Sequence, residues 1–118
     1  MKLKIKSKIG GNEILVEAIE CKSIFSRFRG LMFRKKENAK ALLFDFQKPV
    51  KIAIHSFFVF FPFIAFWLDK KNKIQEREFV RPFRFYIRPR KNYFKLLEIP
   101  INKKYQKKIL SIVDKRKV

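Results

Sequence analysis

The sequence has few of the residues on which common small-protein chemistries depend. Its 118 residues include one cysteine, one histidine and three glycines. Cys21 has no partner for an intrachain disulfide, which favours a reducing compartment, and we interpret it as a buried apolar thiol rather than a nucleophile. His55 lies 34 positions from Cys21, which is no metal-ligand spacing. Gly10, Gly11 and Gly30 do not form a phosphate-binding loop.

Acidic residues are also scarce. The chain has 30 Lys and Arg but only 10 Asp and Glu, which gives a formal net charge of +20 and a pI near 10.5. This imbalance indicates a polyanion partner such as RNA or, less directly, an anionic membrane surface. AT-rich codon use would also enrich lysine, but it explains the lysines better than it explains the missing acids.

The length predicts one domain over residues 1–118, long enough for a single core. The N-terminus, MKLKIKSKIGGNEILVEAIE, is positively charged but lacks the apolar stretch of a secretory signal. We therefore expect a cytoplasmic protein.

The pattern of apolar residues predicts a mainly β domain. Alternating residues around Gly10-Gly11-Asn12 predict a hairpin over 3–19, and 22–29 suit a short helix with Ser23 as its cap and Gly30 as its stop. The C-terminal tail fits either a helix or a closing strand, and the strand alternative would cover residues 109–113. Further strands are predicted at 41–46, about 50–60, 63–69, 73–80, 83–88 and 93–99. The expected architecture is a compact antiparallel β-sandwich or distorted barrel with one short helix.

One apolar run, residues 52–68, contains no charge and six phenylalanines. Its length is at the lower limit for a membrane-spanning helix. Pro62 in the run, and its aromatic and β-branched composition, favour two buried strands instead. Membrane association through this run is kept as an alternative.

Six pieces of the chain form an ordered set of short motifs. They are RFRGLMFR (27–34), ALLFDF (41–46), IHSFFVFFP (54–62), FWLD (66–69), RPFR (81–84) and LLEIP (96–100). R-x-x-G-L-M-x-R is the most specific piece, and a Leu-Glu-hydrophobic-Pro piece supports it. Taken together, the pieces resemble the family called domain of unknown function 192. The resemblance covers roughly residues 14–114, and the C-terminal end at 103–118 is basic.

The resemblance implies a compact, mostly β domain and says little about activity, because the family has no established one. The chain departs from the family pattern at Val59, Ile64, Asn102 and Val113-Asp114. The family usually has an acid where Ile64 stands, so any polar site that used that carboxylate is incomplete here. The family-motif positions are Arg27, Gly30, Leu31, Met32, Arg34, His55 and Glu98.

The polar family positions admit two interpretations. In the catalytic one, His55 is a general base oriented by Glu98, and Arg27 and Arg34 hold an anionic substrate. In the structural one, Glu98 is a buried carboxylate paired with Arg27 or Arg34, and His55 bonds a backbone carbonyl. We favour the structural interpretation, with an enzyme or a small anionic-ligand-binding protein as the alternative. No metal or cofactor is expected.

The segment RPFRFYIRPRKNYFK, residues 81–95, is the strongest candidate for binding. It has four Arg and two Lys, no acid and five aromatic residues. One interpretation is an ordinary strand, in which Phe83 and Phe85 simply enter the core and the basic side is a solvated face. On such a strand Phe83, Phe85 and Ile87 would face one way, and Arg84, Tyr86 and Arg88 would share the open face with Arg90 nearby. Such a face can bind phosphates and stack on unpaired bases. We therefore predict a non-enzymatic module that binds nucleic acid, most simply RNA, through Arg84, Tyr86, Arg88 and Arg90.

Overall fold

The computed structural model describes residues 2–6, 13–23 and 30–112. These residues form six strands, a one-turn 3-10 helix at Lys36–Asn38 and an α-helix, α1 (Gln106–Ile112). The strands are β1 (Lys2–Lys6), β2 (Glu13–Glu20), β3 (Ala41–Val50), β4 (Phe63–Leu68), β5 (Ile74–Val80) and β6 (Tyr93–Pro100). They join in one curled, half-barrel sheet with the order β1-β2-β3-β6-β4-β5.

The predicted N-terminal hairpin is confirmed in its two strands. β1 and β2 are antiparallel, with Leu3 opposite Val16. Leu3, Ile5, Val16 and Ala18 are buried on one face, as their alternation with polar residues requires. The predicted turn, residues 7–12, lies outside the described residues.

The sheet is antiparallel at four of its five strand pairs. The exception is β2 with β3, where Ala18 lies opposite Ala41 in a parallel arrangement. A parallel pair needs a long crossover, which the chain between Glu20 and Ala41 provides. The expectation of a mainly β fold with one short helix is confirmed, but its purely antiparallel character is wrong at this pair.

Both faces of the sheet are apolar. All six residues of β4 are buried, because Phe66 and Leu68 face one core while Ala65 and Trp67 face the other. Helix α1 covers the first core, where it contributes Ile109. The second core is covered by two long loops instead.

These loops, residues 51–62 and 81–92, correct two predicted strands. The strands expected over 50–60 and 83–88 are wrong. β3 extends to Val50, and the β pairing between the two loops is limited to an isolated bridge between Ile54 and Ile87. A continuous apolar run cannot distinguish a strand buried on both faces from a loop that covers a core, because neither alternates. The strands predicted at 41–46, 63–69, 73–80 and 93–99 are confirmed as β3, β4, β5 and β6.

The apolar run 52–68 is thus shared between the first long loop and β4. Within the described ranges no helix combines the length and the apolar composition needed to cross a membrane. Of the two alternatives for the C-terminal tail, the helix is correct. The short helix predicted over 22–29 falls mostly outside the described residues, as does Arg27.

Tyr105 joins the chain before α1 to the centre of the sheet. Its buried hydroxyl accepts a hydrogen bond from the Ala41 N–H (2.9 Å) and donates one to the Glu17 carbonyl (2.8 Å). It therefore ties β2 to β3 at their parallel pairing. Asn102 supports this corner by donating to the carbonyls of Lys36 (2.9 Å) and Ala39 (3.0 Å).

We expect Tyr105→Phe to lower the free energy of unfolding by roughly 1–3 kcal/mol, because it removes the partner of a buried backbone N–H. Urea unfolding of the two proteins measures the difference. Tyr86→Phe is the matched control, since Tyr86 is 63% exposed and should change stability little. Equal effects of the two substitutions would show that the Tyr105 hydroxyl does not join the strands.

Candidate functional site

One buried serine joins the two long loops. The Ser56 hydroxyl donates to the Arg81 carbonyl (2.7 Å) and accepts from the Arg84 N–H (2.6 Å). Its backbone N–H donates to the Arg84 carbonyl (2.9 Å), and its own carbonyl accepts from the Phe83 N–H (2.9 Å). The loops therefore form one hydrogen-bonded layer over the second core.

Exposed phenylalanines lie on the outside of this layer. The rings of Phe33 and Phe58 stack with centroids 5.1 Å apart, and Phe85 meets Phe57 edge to face at 4.6 Å. Phe85 is 73% exposed and Phe60 is 60% exposed. Exposed apolar surface of this kind commonly marks a contact with a partner. We call Phe33, Phe57, Phe58, Phe60, Phe83 and Phe85 the aromatic cluster.

The positions of Phe83 and Phe85 correct the sequence prediction that both enter the core. Ile87 alone of the three predicted core-facing residues is buried. Because residues 83–88 form a loop rather than a strand, their side chains do not alternate between core and solvent. More aromatic surface is therefore open than the sequence predicted.

Three members of the cluster have left-handed backbone. Phe33, Phe58 and Phe83 have φ of +63°, +55° and +62°. A bulky residue in this region costs about 1 kcal/mol or more, and such strain concentrates at functional sites. Backbone hydrogen bonds hold the conformation, including one from the Phe33 N–H to the Phe58 carbonyl (2.9 Å).

The segments that carry the cluster are basic. Residues 30–35 contain two basic side chains, residues 51–62 contain one, residues 81–92 contain five, and none contains an acid. The exposed rings therefore lie on segments of one charge sign.

The four residues predicted to bind nucleic acid do not share one strand face. Arg84 is half-buried, and its Nη1 pairs with Glu78 Oε1 at 3.2 Å. Tyr86 is exposed, with the Arg88 guanidinium 5.8 Å from its ring centre. Arg90 is exposed further along the same loop.

Arg88 and Arg90 also line an open cleft of about 690 Å³ between β5 and the loop 81–92. The carboxylate of Glu76 in this cleft accepts from the backbone N–H groups of Arg90 and Lys91, all at 3.0 Å. Glu78 is the acid already paired with Arg84. The basic lining residues are Lys73, Arg77, Arg88, Arg90 and Lys91.

A second, smaller cavity lies beneath the loop layer and opens to the surface at Ile52. Its volume is about 420 Å³, and most of its lining is apolar, including Phe44, Ile54 and Leu96. Five of the seven family-motif positions line it: Gly30, Leu31, Met32, His55 and Glu98. The structure thus brings together residues that the sequence separates by up to 68 positions.

Glu98 supplies the carboxyl group of this cavity and is 6% exposed. No residue in the described part of the chain gives it a hydrogen bond or an ion pair. Burial therefore raises its pKa from 4.5 to about 8. Burial, and secondarily the Glu98 carboxylate, also raises the pKa of Tyr93 to about 12. The Tyr93 hydroxyl donates to the Ile52 carbonyl (2.9 Å).

The structural interpretation of Glu98 is wrong for one of its two suggested partners. The Arg34 Nε donates to the Gly30 carbonyl (3.1 Å) rather than pairing with Glu98, and Arg27 lies outside the described residues. His55 also differs from expectation, since its Nδ1 accepts from the Phe57 N–H (3.2 Å) instead of donating to a carbonyl. A neutral His55 therefore carries its proton on Nε2.

Gly30 approaches the carboxyl group closely. A Cβ built on it would lie 3.6 Å from Glu98 Oε1, an ordinary contact, while its φ is +51°. Backbone conformation rather than lack of space therefore favours glycine here.

Ser56 and the exposure of the aromatic cluster were missed by sequence reasoning. The density of phenylalanine in residues 57–63 could have indicated that some rings are exposed, because one small core cannot enclose so many of them. Among the described residues, no group of three His, Cys, Asp or Glu is placed to hold a metal ion.

The fold and cavity define a small, basic, mainly β protein with an apolar pocket under two long loops. The chain matches the model of DUF192, described as Uncharacterized ACR, COG1430, over residues 5–110, and it belongs to that family. This confirms the resemblance found in the sequence. A comparison with curated proteins found no significant match.

Two crystal structures share the fold. One is of "a putative transcription regulator" from Sinorhizobium meliloti 1021, with 18% identity, a TM-score of 0.74, and coverage of 93% of this chain and 84% of that one. The other is of a protein of unknown function from Novosphingobium aromaticivorans DSM 12444, with 12% identity, a TM-score of 0.69, and coverage of 92% and 79%. At these identities the likeness shows the fold alone.

The buried Glu98 makes stability depend on pH. Its pKa is higher in the folded than in the unfolded chain, so the folded state binds an extra proton between about pH 4.5 and 8. Stability should therefore fall as pH rises through this window, on the order of a few kcal/mol, and level off above it. Urea unfolding from pH 4.5 to 9 measures the trend. Glu98→Gln, which cannot ionise, should remove the Glu98 share of it, and an identical pH profile in both proteins would contradict the assignment.

Gly30→Ala should lower the free energy of unfolding by about 1–2 kcal/mol, because alanine resists a positive φ. Gly30→Asn should be less damaging, because asparagine tolerates this region better. Thermal unfolding of both variants measures the difference. A larger loss for asparagine would mean that side-chain volume beside Glu98, rather than backbone conformation, requires glycine.

Proposed function

We propose that this protein is a non-enzymatic module that binds single-stranded nucleic acid, most simply RNA, with the basic loop layer. The observation that carries the proposal is the combination of six clustered phenylalanines, five of them 46–73% exposed, with eight basic and no acidic residues on the same three segments. Exposed rings can stack on unpaired bases, and the surrounding cations can contact phosphates.

The distribution of charge supports the same partner. The two acids in the cleft are held by local contacts, whereas Arg88 and Arg90 are exposed beside it. Arg88 lies over the Tyr86 ring, an arrangement that suits stacking as well as phosphate binding. Of the eight basic residues on these segments, five are arginine, a side chain that can contact phosphate groups in a bidentate way.

The proposal revises the predicted binding residues. Tyr86, Arg88 and Arg90 remain, together with Phe60 and Phe85 from the aromatic cluster. Arg84 becomes a residue that orders the loop, because Glu78 neutralises it. A cytoplasmic location belongs to the same proposal, as does the basic C-terminal end at 103–118 as a further phosphate contact.

Fluorescence anisotropy with labelled single-stranded RNA, single-stranded DNA and duplex DNA at several salt concentrations tests the proposal. We expect micromolar or tighter binding near physiological salt and a preference for single strands. Phe85→Ser should weaken single-strand binding about fivefold or more through lost stacking. Arg88→Gln with Arg90→Gln should weaken binding to all three nucleic acids and flatten its salt dependence.

The matched charge control is Lys2→Gln with Lys22→Gln, which removes the same net charge near the opposite edge of the sheet. If this control weakens binding as much as the arginine pair does, net charge alone binds nucleic acid and the assigned surface is wrong. Tighter binding to phosphatidylserine-containing vesicles than to RNA would reassign the aromatic cluster to a membrane surface.

A further inference from the structure

The cavity beneath the loops is built differently from the surface above it. Phe44, Phe63 and Leu96 give it an apolar interior, and its volume of about 420 Å³ lies in the range of small-molecule sites. Ile52, which is 48% exposed, is also part of the lining, so the cavity reaches the surface there.

The polar groups that line this cavity differ in whether they already have a hydrogen-bond partner. The Tyr93 hydroxyl already donates to the Ile52 carbonyl, and His55 Nδ1 already accepts from the Phe57 N–H. The carboxyl group of Glu98 is 94% buried, yet it has no hydrogen-bond or ion-pair partner within the described part of the chain. A carboxyl group that lines a small-molecule-sized cavity, with no partner from the described residues, is available to bind a molecule in that cavity.

We propose that this cavity binds a small, neutral, largely apolar molecule, and that the Glu98 carboxyl group recognises it by donating a hydrogen bond to a carbonyl or similar acceptor. This site is separate from the nucleic-acid surface, since none of the residues assigned to that surface lines the cavity.

The surroundings of Glu98 favour a neutral ligand. Its neighbours on the adjacent strands, Leu42 on β3 and Ala65 on β4, are apolar. An ionised carboxylate beside a neutral ligand, or an anionic ligand, would lose its hydration here without compensation. A cationic ligand paired with the carboxylate would require both charges to be desolvated. A protonated carboxyl group donating to a neutral acceptor buries no charge.

Other groups that can carry charge also bear on the site. Tyr93 on β6 and His55 on the first long loop line the cavity, and Arg34 lies one turn away at the Gly30 carbonyl. Tyr93 stays neutral below about pH 12. Because the pKa of Glu98 is raised to about 8, the carboxyl group is mostly protonated at pH 6.5 and mostly ionised at pH 9.5.

Three ligands with one carbon skeleton test the proposal: acetophenone as a neutral acceptor, 1-phenylethylamine as a cation and ethylbenzene with no polar group. NMR titration of the full chain at pH 6.5, read at Met32, Ile54 and Leu96, gives the affinities. We expect acetophenone to bind roughly tenfold tighter than ethylbenzene, the ratio that one net hydrogen bond supplies. Its advantage should shrink at pH 9.5, where Glu98 can no longer donate.

Two variants separate recognition from simple burial. Glu98→Gln keeps a neutral donor, so it should retain most of the preference for acetophenone and lose its dependence on pH. Glu98→Met removes the donor and should abolish the preference while ethylbenzene still binds. If Glu98→Met does not fold, the glutamine variant and the pH comparison still decide.

Tighter binding of 1-phenylethylamine would overturn the proposal in favour of a cation site with ionised Glu98. Equal affinities for acetophenone and ethylbenzene, or no shifts at the cavity residues, would show that Glu98 recognises no ligand there. Neither result bears on RNA binding, which is read on exposed variants of the loop surface.

Discussion

The structure is governed by a sheet whose two faces are both apolar. β4 is buried at every position, so both of its faces must be kept from water, and α1 covers only one. The other is covered by two loops that are joined to each other by hydrogen bonds at Ser56 and by the bridge between Ile54 and Ile87. This loop cover has two consequences, one beneath the loops and one on their outer side. Beneath the loops, a cavity remains between the loop side chains and the sheet. On the outer side, most of the phenylalanines of the aromatic cluster are exposed to solvent.

Most strands could be predicted from the sequence because their cause is local. Alternation in β1 and β2, and turn residues beside β5 and β6, fix those segments without knowledge of the rest of the chain. The segments around Ser56 and Phe85 could not be predicted in the same way. Their conformation depends on each other, through hydrogen bonds between residues 25 to 28 positions apart. Likewise the parallel pairing of β2 and β3 leaves no mark on the sequence.

The sequence predicted which residues line the candidate cavity but not which partners their side chains have. The family resemblance pointed to Gly30, Met32, His55 and Glu98 as a set, and they do line one cavity. The expectation that Arg34 neutralises Glu98 failed because a side chain's partner depends on the loop conformation, and Arg34 bonds the Gly30 carbonyl instead. Glu98, which the sequence predicted to form an ion pair, is therefore interpreted as a carboxyl group that can donate a hydrogen bond to a ligand.

The strand order has a consequence for how the chain reaches this state. β6 lies between β3 and β4, although it is synthesised after both. Until residues 93–100 have left the ribosome, the edges that β3 and β4 will give to β6 remain unpaired and apolar. The sheet therefore closes late, through contacts distant in sequence, which predisposes such folds to slow folding and to pairing between chains. In nascent chains of this protein, those two edges therefore stay open to pairing with another chain until β6 is added.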